Sequence, residues 1–218
     1  MKTNKTTTYK LILDYFRKQG EFDTELEYGS VFQLLIAVVL SAQCTDKRVN
    51  MITPELFSKY PDAKSMSEAE EVEVYEYIKS VSYPNAKAKH IVELSKMIMS
   101  DYGGEVPSDM DSLQKLPGVG RKTANVMLAV AFGRDAMPVD THVYRVSHRL
   151  GLVGKSCNTP LKVEKELCKH ISKGELGKAH HWLLLHGRYI CTSLKPKCDK
   201  CQFDDICPKL LENSKLGK

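Results

Sequence analysis

Residues 116–142 read LPGVGRKTANVMLAVAFGRDAMPVDTH, and this stretch decides the fold. It parses as the end of one helix, a tight hairpin, a second helix, a break and the start of a third. Pro117 and Gly118 stop the first helix, because proline cannot continue it and glycine tolerates the turn. Gly120 lets the chain bend closely before Arg121 opens the second helix. The first amides of that helix have no intrahelical partner and lie at the positive end of its dipole, a setting that suits a phosphate. Lys122 sits just past the turn, and Asp140 follows eighteen positions later, after a break at Met137-Pro138. Singly, each has a plain explanation: a solvated surface lysine, and an N-cap for the helix beginning THVYRV. Together they point to chemistry on the sugar of a nucleic-acid backbone.

Outward from this stretch the pattern stays helical. Tyr9, Ile12, Leu13 and Phe16 form a stripe over residues 6–19 that ends at Gly20. Ser30 is placed to cap the run VFQLLIAVVL, which is wet on almost no side and therefore reads as a central core helix. Helices are expected at 46–59, kinked or divided by Pro54, and at 67–79. After a turn at Tyr83-Pro84-Asn85, another is expected from 86 to 102, stopped by Gly103-Gly104. Ser108 is the expected cap of a short helix leading into the hairpin, and the helix, hairpin and following helix together span about residues 110–132. Further helices are expected at 141–150, 160–172 and 176–190. No strand-length alternation, repeat or low-complexity tract interrupts this, so the fold class is all-α.

Composition narrows the partners. The 218 residues suffice for a substantial core, and the formal charge is +5, consistent with a polyanionic partner. Residues 115–149 hold six basic and two acidic side chains, whereas residues 62–76 hold six acids and one lysine. The acidic run reads as a solvated helix face; the basic one lies over the hairpin. No apolar segment follows the basic N-terminal residues, and residues 34–40 are too few to span a membrane. A cytoplasmic protein with reduced cysteines is expected.

Cys191, Cys198, Cys201 and Cys207 are separated by six, two and five residues. Four thiolates this close can surround one soft metal centre. Zinc usually takes paired C-x2-C knuckles, and only one is present; an iron–sulfur cluster accepts irregular spacing, which favours it without excluding zinc. The remaining Cys44, Cys157 and Cys168 are expected to pack. His180, His181 and His186 are expected to cap or contact phosphate, not to ligate metal.

LPGVGRKTAN followed by VDTHVYRV resembles the helix-hairpin-helix DNA glycosylases, specifically the endonuclease III family. The resemblance implies a bifunctional DNA glycosylase/AP lyase of base excision repair, with Lys122 as nucleophile and Asp140 as its partner. A lysine nucleophile must be neutral to attack, which the helix N-terminus, the neighbouring Arg121 and partial burial would each favour. The C-x6-C-x2-C-x5-C spacing is the one that family uses for a [4Fe–4S] cluster. The substrate implied is double-stranded DNA carrying an oxidised pyrimidine or an abasic site, bound by a monomer associated with the nucleoid. Two helical lobes are implied, one from 23 to 134, the other joining residues 1–22 to 135–218, with DNA across the groove between them.

The resemblance also nominates DNA contacts. The LSAQ glutamine, Gln43, would enter the space left by an extruded base. Gly118, Val119, Gly120 and Arg121 would grip the backbone, and Lys195 and Lys197, with Lys200, would form a basic ridge on the loop between cysteines. Where the family usually has glycine, leucine and tyrosine before an asparagine, this chain has Ser82, Tyr83 and Pro84. Tyr83 would then either replace the leucine wedge by stacking, which is worth roughly 1–3 kcal/mol per base, or pack on the neighbouring helix. The adenine-specific relatives lack the lysine and carry a glutamate where this chain has Ala37, which argues against that activity. Two other classes compete: a non-catalytic DNA-binding or redox-signalling protein, and a monofunctional glycosylase for alkylated or mispaired bases.

Overall fold

Residues 34–40 are all buried, several with no exposure at all. A helix apolar on every side is stable only when other helices surround it, and that requirement organises half of the molecule. The structure, a computed structural model, describes residues 4–20 and 24–209. Among them are eleven α-helices and no strand, as the hydrophobic periodicity predicts. No described helix is long and apolar enough to cross a membrane. The chain divides into two compact units, one of residues 24–133 and one combining the N-terminal helix with residues from 134 onward.

In the first unit, the central helix α2 (Val31–Ser41) is capped by Ser30, whose hydroxyl accepts from the Gln33 amide at 3.2 Å. The unit's other helices are α3 (Asp46–Lys59), α4 (Ala63–Ser67), α5 (Glu71–Ile78), α6 (Pro84–Asp101), α7 (Met110–Lys115) and α8 (Arg121–Val130). Helix α2 packs on α3, α6 and α8, while α6 packs on α4 and α5. Pro54 neither ends nor divides α3; it lies on the helix's exposed face.

Two expectations fail here for local reasons. The helix expected at 67–79 begins only at Glu71, as α5, and a short helix that was not expected, α4, precedes it and ends at Ser67. Asp62 and Ser65 form a reciprocal capping box that starts α4 at Ala63, and the extended Glu70 (φ −80°, ψ 139°) restarts the chain at α5. The cap of α7 is Asp109, not Ser108: its carboxylate accepts from the Ser112 amide at 2.9 Å, and that bond holds it below the usual carboxylate range.

The second unit comprises α1 (Lys5–Lys18), α9 (Thr141–Arg149), α10 (Pro160–His170) and α11 (Leu176–Tyr189), then a 3-10 turn at Cys198–Lys200. Helix α9 packs on α11 and α10, and α1 on α11. Their core gathers Tyr9, Phe16, Val143, Val146, Trp182 and Phe203. Phe203 comes from the cysteine-rich loop and meets Phe16 edge-on at 5.4 Å, which plugs that loop into the core. A buried phenylalanine is worth about 1.5–3 kcal/mol, so the loop is fixed by packing as well as by any ligand it holds. Trp182 ties the segment after α1 by donating its Nε1–H to the Gly20 carbonyl at 3.1 Å.

Candidate nucleic-acid interface and cysteine cage

The hairpin between α7 and α8 is closed by the Val119 amide, which donates to the Leu116 carbonyl at 3.0 Å. Gly118 takes φ +78°, a left-handed conformation that favours glycine. Gly120 is the N-cap of α8 in extended backbone (φ −85°, ψ 175°) and has no side chain to cap the helix. The leading amides of α8 therefore face outward at its positive pole. Gly118, Gly120, Arg121 and Lys122 are all exposed around this turn. Val119 is different: its side chain is buried and its amide is engaged, so it presents only a carbonyl to a ligand. Lys122 is exposed, not partly buried as a lowered pKa would favour, because its position on the first turn of α8 lies opposite the apolar face of Ala124 and Met127.

Gln43 and Tyr83 belong to the same unit. Both are exposed, Tyr83 at 65%, and both are left-handed, with φ 54° and 56°. Lys87, which sequence reasoning passed over, is buried at the base of their loops. Its ammonium donates to the Leu40 and Ala42 carbonyls at 2.8 and 2.7 Å, and burial pushes its pKa down.

In the other unit, Asp140 does serve as the N-cap of α9: Oδ1 accepts from the Val143 amide at 2.7 Å. It is half-buried and lines a pocket of about 620 Å³ together with His142, Tyr144, Arg145 and Ser193. One carboxylate oxygen is thus fixed by the helix, which orients the other. Arg145 is buried behind it, donating to the Cys191 and Gly187 carbonyls at 3.0 and 2.8 Å.

Cys191, Cys198, Cys201 and Cys207 line one cavity of about 280 Å³, walled by Leu150, Ile190 and Pro196. Burial pushes the Cys201 and Cys207 thiols up. Thiols in such surroundings are poor free nucleophiles, whereas a bound metal would deprotonate them outright. Four cysteine sulfurs lining one cavity are a donor set that suits a soft metal centre, zinc or an iron–sulfur cluster. Arg149, also missed in the sequence, is buried behind them. Its Nη1 donates to the Thr192 carbonyl at 2.7 Å and toward Cys191 Sγ at 3.5 Å, and its Nη2 to the Ser193 carbonyl at 2.9 Å. The Cys207 thiol donates to the Arg149 carbonyl at 3.0 Å.

Within this loop Thr192 Oγ1 donates to the Lys195 carbonyl at 2.6 Å and the Lys197 amide to the Ile190 carbonyl at 2.9 Å, leaving the Lys195, Lys197 and Lys200 side chains exposed. His180 Nδ1 donates to the Pro138 carbonyl at 2.9 Å, and His181 Nδ1 to the Gly177 carbonyl at 3.1 Å. His186 is buried with its Nε2 3.7 Å from Cys201 Sγ, and burial lowers its pKa to about 4. Of the other cysteines, Cys157 packs against the core and Cys44 is half-buried, but Cys168 is exposed on α10 and does not pack as expected.

Comparison with known proteins identifies the arrangement. Residues 36–173 match the HhH-GPD superfamily base excision DNA repair protein family. Endonuclease III of Rickettsia felis is 50% identical over 184 residues, covering 84% of this chain and 85% of its own length. Endonuclease III of Bacillus subtilis is 46% identical over 195 residues, 89% of each chain. A solved structure of a trapped endonuclease III–DNA covalent intermediate, an estranged-adenine complex, superposes with a TM-score of 0.89 at 43% identity, covering 94% of this chain and 96% of that one. The chain belongs to the HhH-GPD superfamily of base excision DNA repair proteins and, within it, to the endonuclease III family of DNA glycosylases and AP lyases.

Proposed function

We propose that this DNA glycosylase excises oxidised pyrimidines from duplex DNA and nicks the strand by β-elimination, with Lys122 as nucleophile and Asp140 as the stabilising carboxylate. The observation that carries the reading is an exposed lysine on the first turn of a helix whose glycine N-cap leaves the leading amides to a phosphate. A relative was captured in a covalent intermediate with DNA, which requires a nucleophilic side chain in that protein.

The damaged nucleotide must first leave the stack, because C1′ is inaccessible inside a duplex. The backbone beside it rests on Gly118, Gly120 and Arg121. Gln43 fills the vacated space and Tyr83 stacks against the opposite strand. Lys195 and Lys197 grip flanking phosphates, a contact that weakens with salt. Lys122 attacks as a free amine; a docked duplex excludes the water that would solvate its ammonium. As the amine nitrogen bonds to C1′, the bond from C1′ to the base breaks and the base leaves with a proton. Asp140 steadies the positive charge that develops on the sugar, using the oxygen that the α9 amide does not fix. The sugar ring opens to an imine between Lys122 and C1′. Loss of a C2′ proton then expels the 3′ phosphate, and water releases the lysine from the product.

Cys191, Cys198, Cys201 and Cys207 would hold a [4Fe–4S] cluster. When bound it supplies a polynuclear anchor that cross-links the loop, with the chemistry of the sugar left to Lys122 and Asp140. The C-x6-C-x2-C-x5-C spacing, the one the endonuclease III family uses for such a cluster, supports this assignment over a single zinc ion.

Borohydride trapping on an abasic duplex tests the mechanism. The wild-type protein should form a covalent adduct that Lys122→Ala abolishes. Base release from a thymine-glycol duplex without any adduct would mean a monofunctional glycosylase, and neither product would mean a non-catalytic DNA-binding protein.

A further inference from the structure

Among the described residues, Gln43, Tyr83 and Lys209 are the non-glycine positions with positive φ. Two of the three stand on adjoining loops of one unit and carry exposed side chains. Left-handed backbone is unfavourable for residues with a Cβ and persists only where the surroundings impose it. Here the surroundings can be named. The Ser82 hydroxyl donates to the Gln43 carbonyl at 2.6 Å. The buried Lys87 ammonium takes the Leu40 and Ala42 carbonyls. Three of the carbonyls around the end of α2 are therefore claimed by the segment 82–87, instead of by water.

Tyr83 is held from the other side. Its carbonyl accepts from the Lys87 amide at 3.1 Å as the first bond of α6. Pro84, at the first position of that helix, disfavours the right-handed conformation for the residue before it. Local rules broken at two neighbouring exposed residues, and enforced by a specific tie, mark a site built for a ligand.

We propose that Ser82 is a positioning residue that locks Gln43 and Tyr83 into a single rigid pair of probes, so that the vacated base space and the opposite strand are engaged together. The proposal rests on the DNA-contacting roles given above to Gln43 and Tyr83. Side chains mounted on a fixed backbone lose less freedom on binding than those on a mobile loop, so the tie should favour the opened duplex over the closed one. Residue 82 is glycine in the family's usual pattern, and a glycine has no hydroxyl with which to make this tie.

The test uses the full-length, cluster-loaded protein and two duplexes, one undamaged and one with a tetrahydrofuran abasic analogue opposite 2-aminopurine. Ser82→Ala should weaken binding to the abasic duplex roughly tenfold, within the range for coupled neighbours. It should also reduce the 2-aminopurine fluorescence that reports unstacking, with undamaged-duplex affinity and Tm unchanged. Ser82→Thr, which keeps the hydroxyl, should restore both. Combined with Gln43→Ala, Ser82→Ala should add little, because the tie acts through Gln43.

Wild-type behaviour of Ser82→Ala, or losses that multiply with those of Gln43→Ala, overturns the proposal. So does an equal loss on both duplexes with a lowered Tm, the mark of a merely structural serine. If Gln43→Ala itself binds the abasic duplex like wild type, the underlying reading of that loop fails and this inference with it. If Gln43→Ala weakens binding and Ser82→Ala does not, only the inference fails.

Discussion

A Cβ placed on Gly118 would stand 3.0 Å from the Cβ of His90 and 3.2 Å from its ring. His90 is rooted in α6, so it cannot swing aside, and Gly118 also needs φ +78°. Both constraints disfavour any side chain at this point of the hairpin. Gly118→Ala should cost about 2 kcal/mol or more, combining left-handed strain with a backbone shift. Urea unfolding would measure it, and an unchanged midpoint would show that the hairpin yields freely. Gly120→Ala provides the contrast: a Cβ there meets nothing within 4 Å and the backbone is extended, so stability should hold within about 0.5 kcal/mol. Affinity for DNA should nonetheless fall, because the added methyl group occupies the approach to the α8 amides.

Asp140 carries a structural duty as well as its proposed chemical one, and two substitutions separate them. Asparagine is as good an N-cap as aspartate, so Asp140→Asn should keep the bond to the Val143 amide and lose less than about 0.5 kcal/mol. Alanine removes the cap and should cost about 1 kcal/mol. Base excision should collapse in both, since neither side chain can carry the negative charge that the sugar requires. Paired Tm and single-turnover measurements decide the matter. Normal excision by Asp140→Asn would reduce the residue to a cap.

What the sequence discloses and what it conceals follows from the range of the interactions involved. The core helix α2 is legible because its apolar run lies within eleven residues, and Ser30 caps it through a bond three residues long. Helices α9, α10 and α11 end within a residue or two of their expected limits for the same reason. The buried cations are not legible. Lys87, Arg145 and Arg149 look like surface residues until their carbonyl partners arrive from more than forty positions away. The misplaced cap at Asp109 and the division between α4 and α5 are local, but each required choosing among several adjacent polar residues capable of the same bond. At the site, spacing brought the four cysteines to notice, yet the enclosing cavity and the arginine behind it depend on tertiary packing.

Glu166 should make stability depend on acid. Lys5 holds its carboxyl down to about 2, with Lys169 and His170 adding to the effect. A carboxyl whose folded pKa is depressed stabilises the protein above its unfolded pKa, and the contribution is lost as pH falls through the folded value. Solvent screening limits the cluster to about 1 kcal/mol, since Lys5 and Lys169 are substantially exposed. Glu166→Gln should therefore lower Tm by a few degrees at a constant amount from pH 8 to about 5, with the gap closing as pH falls from about 4.5 toward 2. A gap that persists undiminished at low pH would mean that the glutamate acts through packing.

Arg149 should decide how well the cysteine cage keeps its contents. One guanidinium bridges the carbonyls of two consecutive residues, Thr192 and Ser193, and places positive charge 3.5 Å from Cys191 Sγ. A lysine ammonium lacks the planar fork that spans both acceptors, and methionine satisfies neither. Both carbonyls are only partly buried, so losing their donor costs at the low end of the roughly 1–3 kcal/mol for a fully buried group, and the cost falls on the segment that carries Cys191. Arg149→Met should accordingly fold, because its α9 neighbours Val143 and Val146 remain packed, but lose iron and visible colour on standing in air far sooner than wild type. Arg149→Lys should fall between them, and Cys198→Ser should be colourless from the start. Iron content and the visible spectrum followed over time provide the measurement. A methionine variant as durable as wild type would relegate Arg149 to filling space, and a colourless wild type with stoichiometric zinc would remove the iron–sulfur assignment itself.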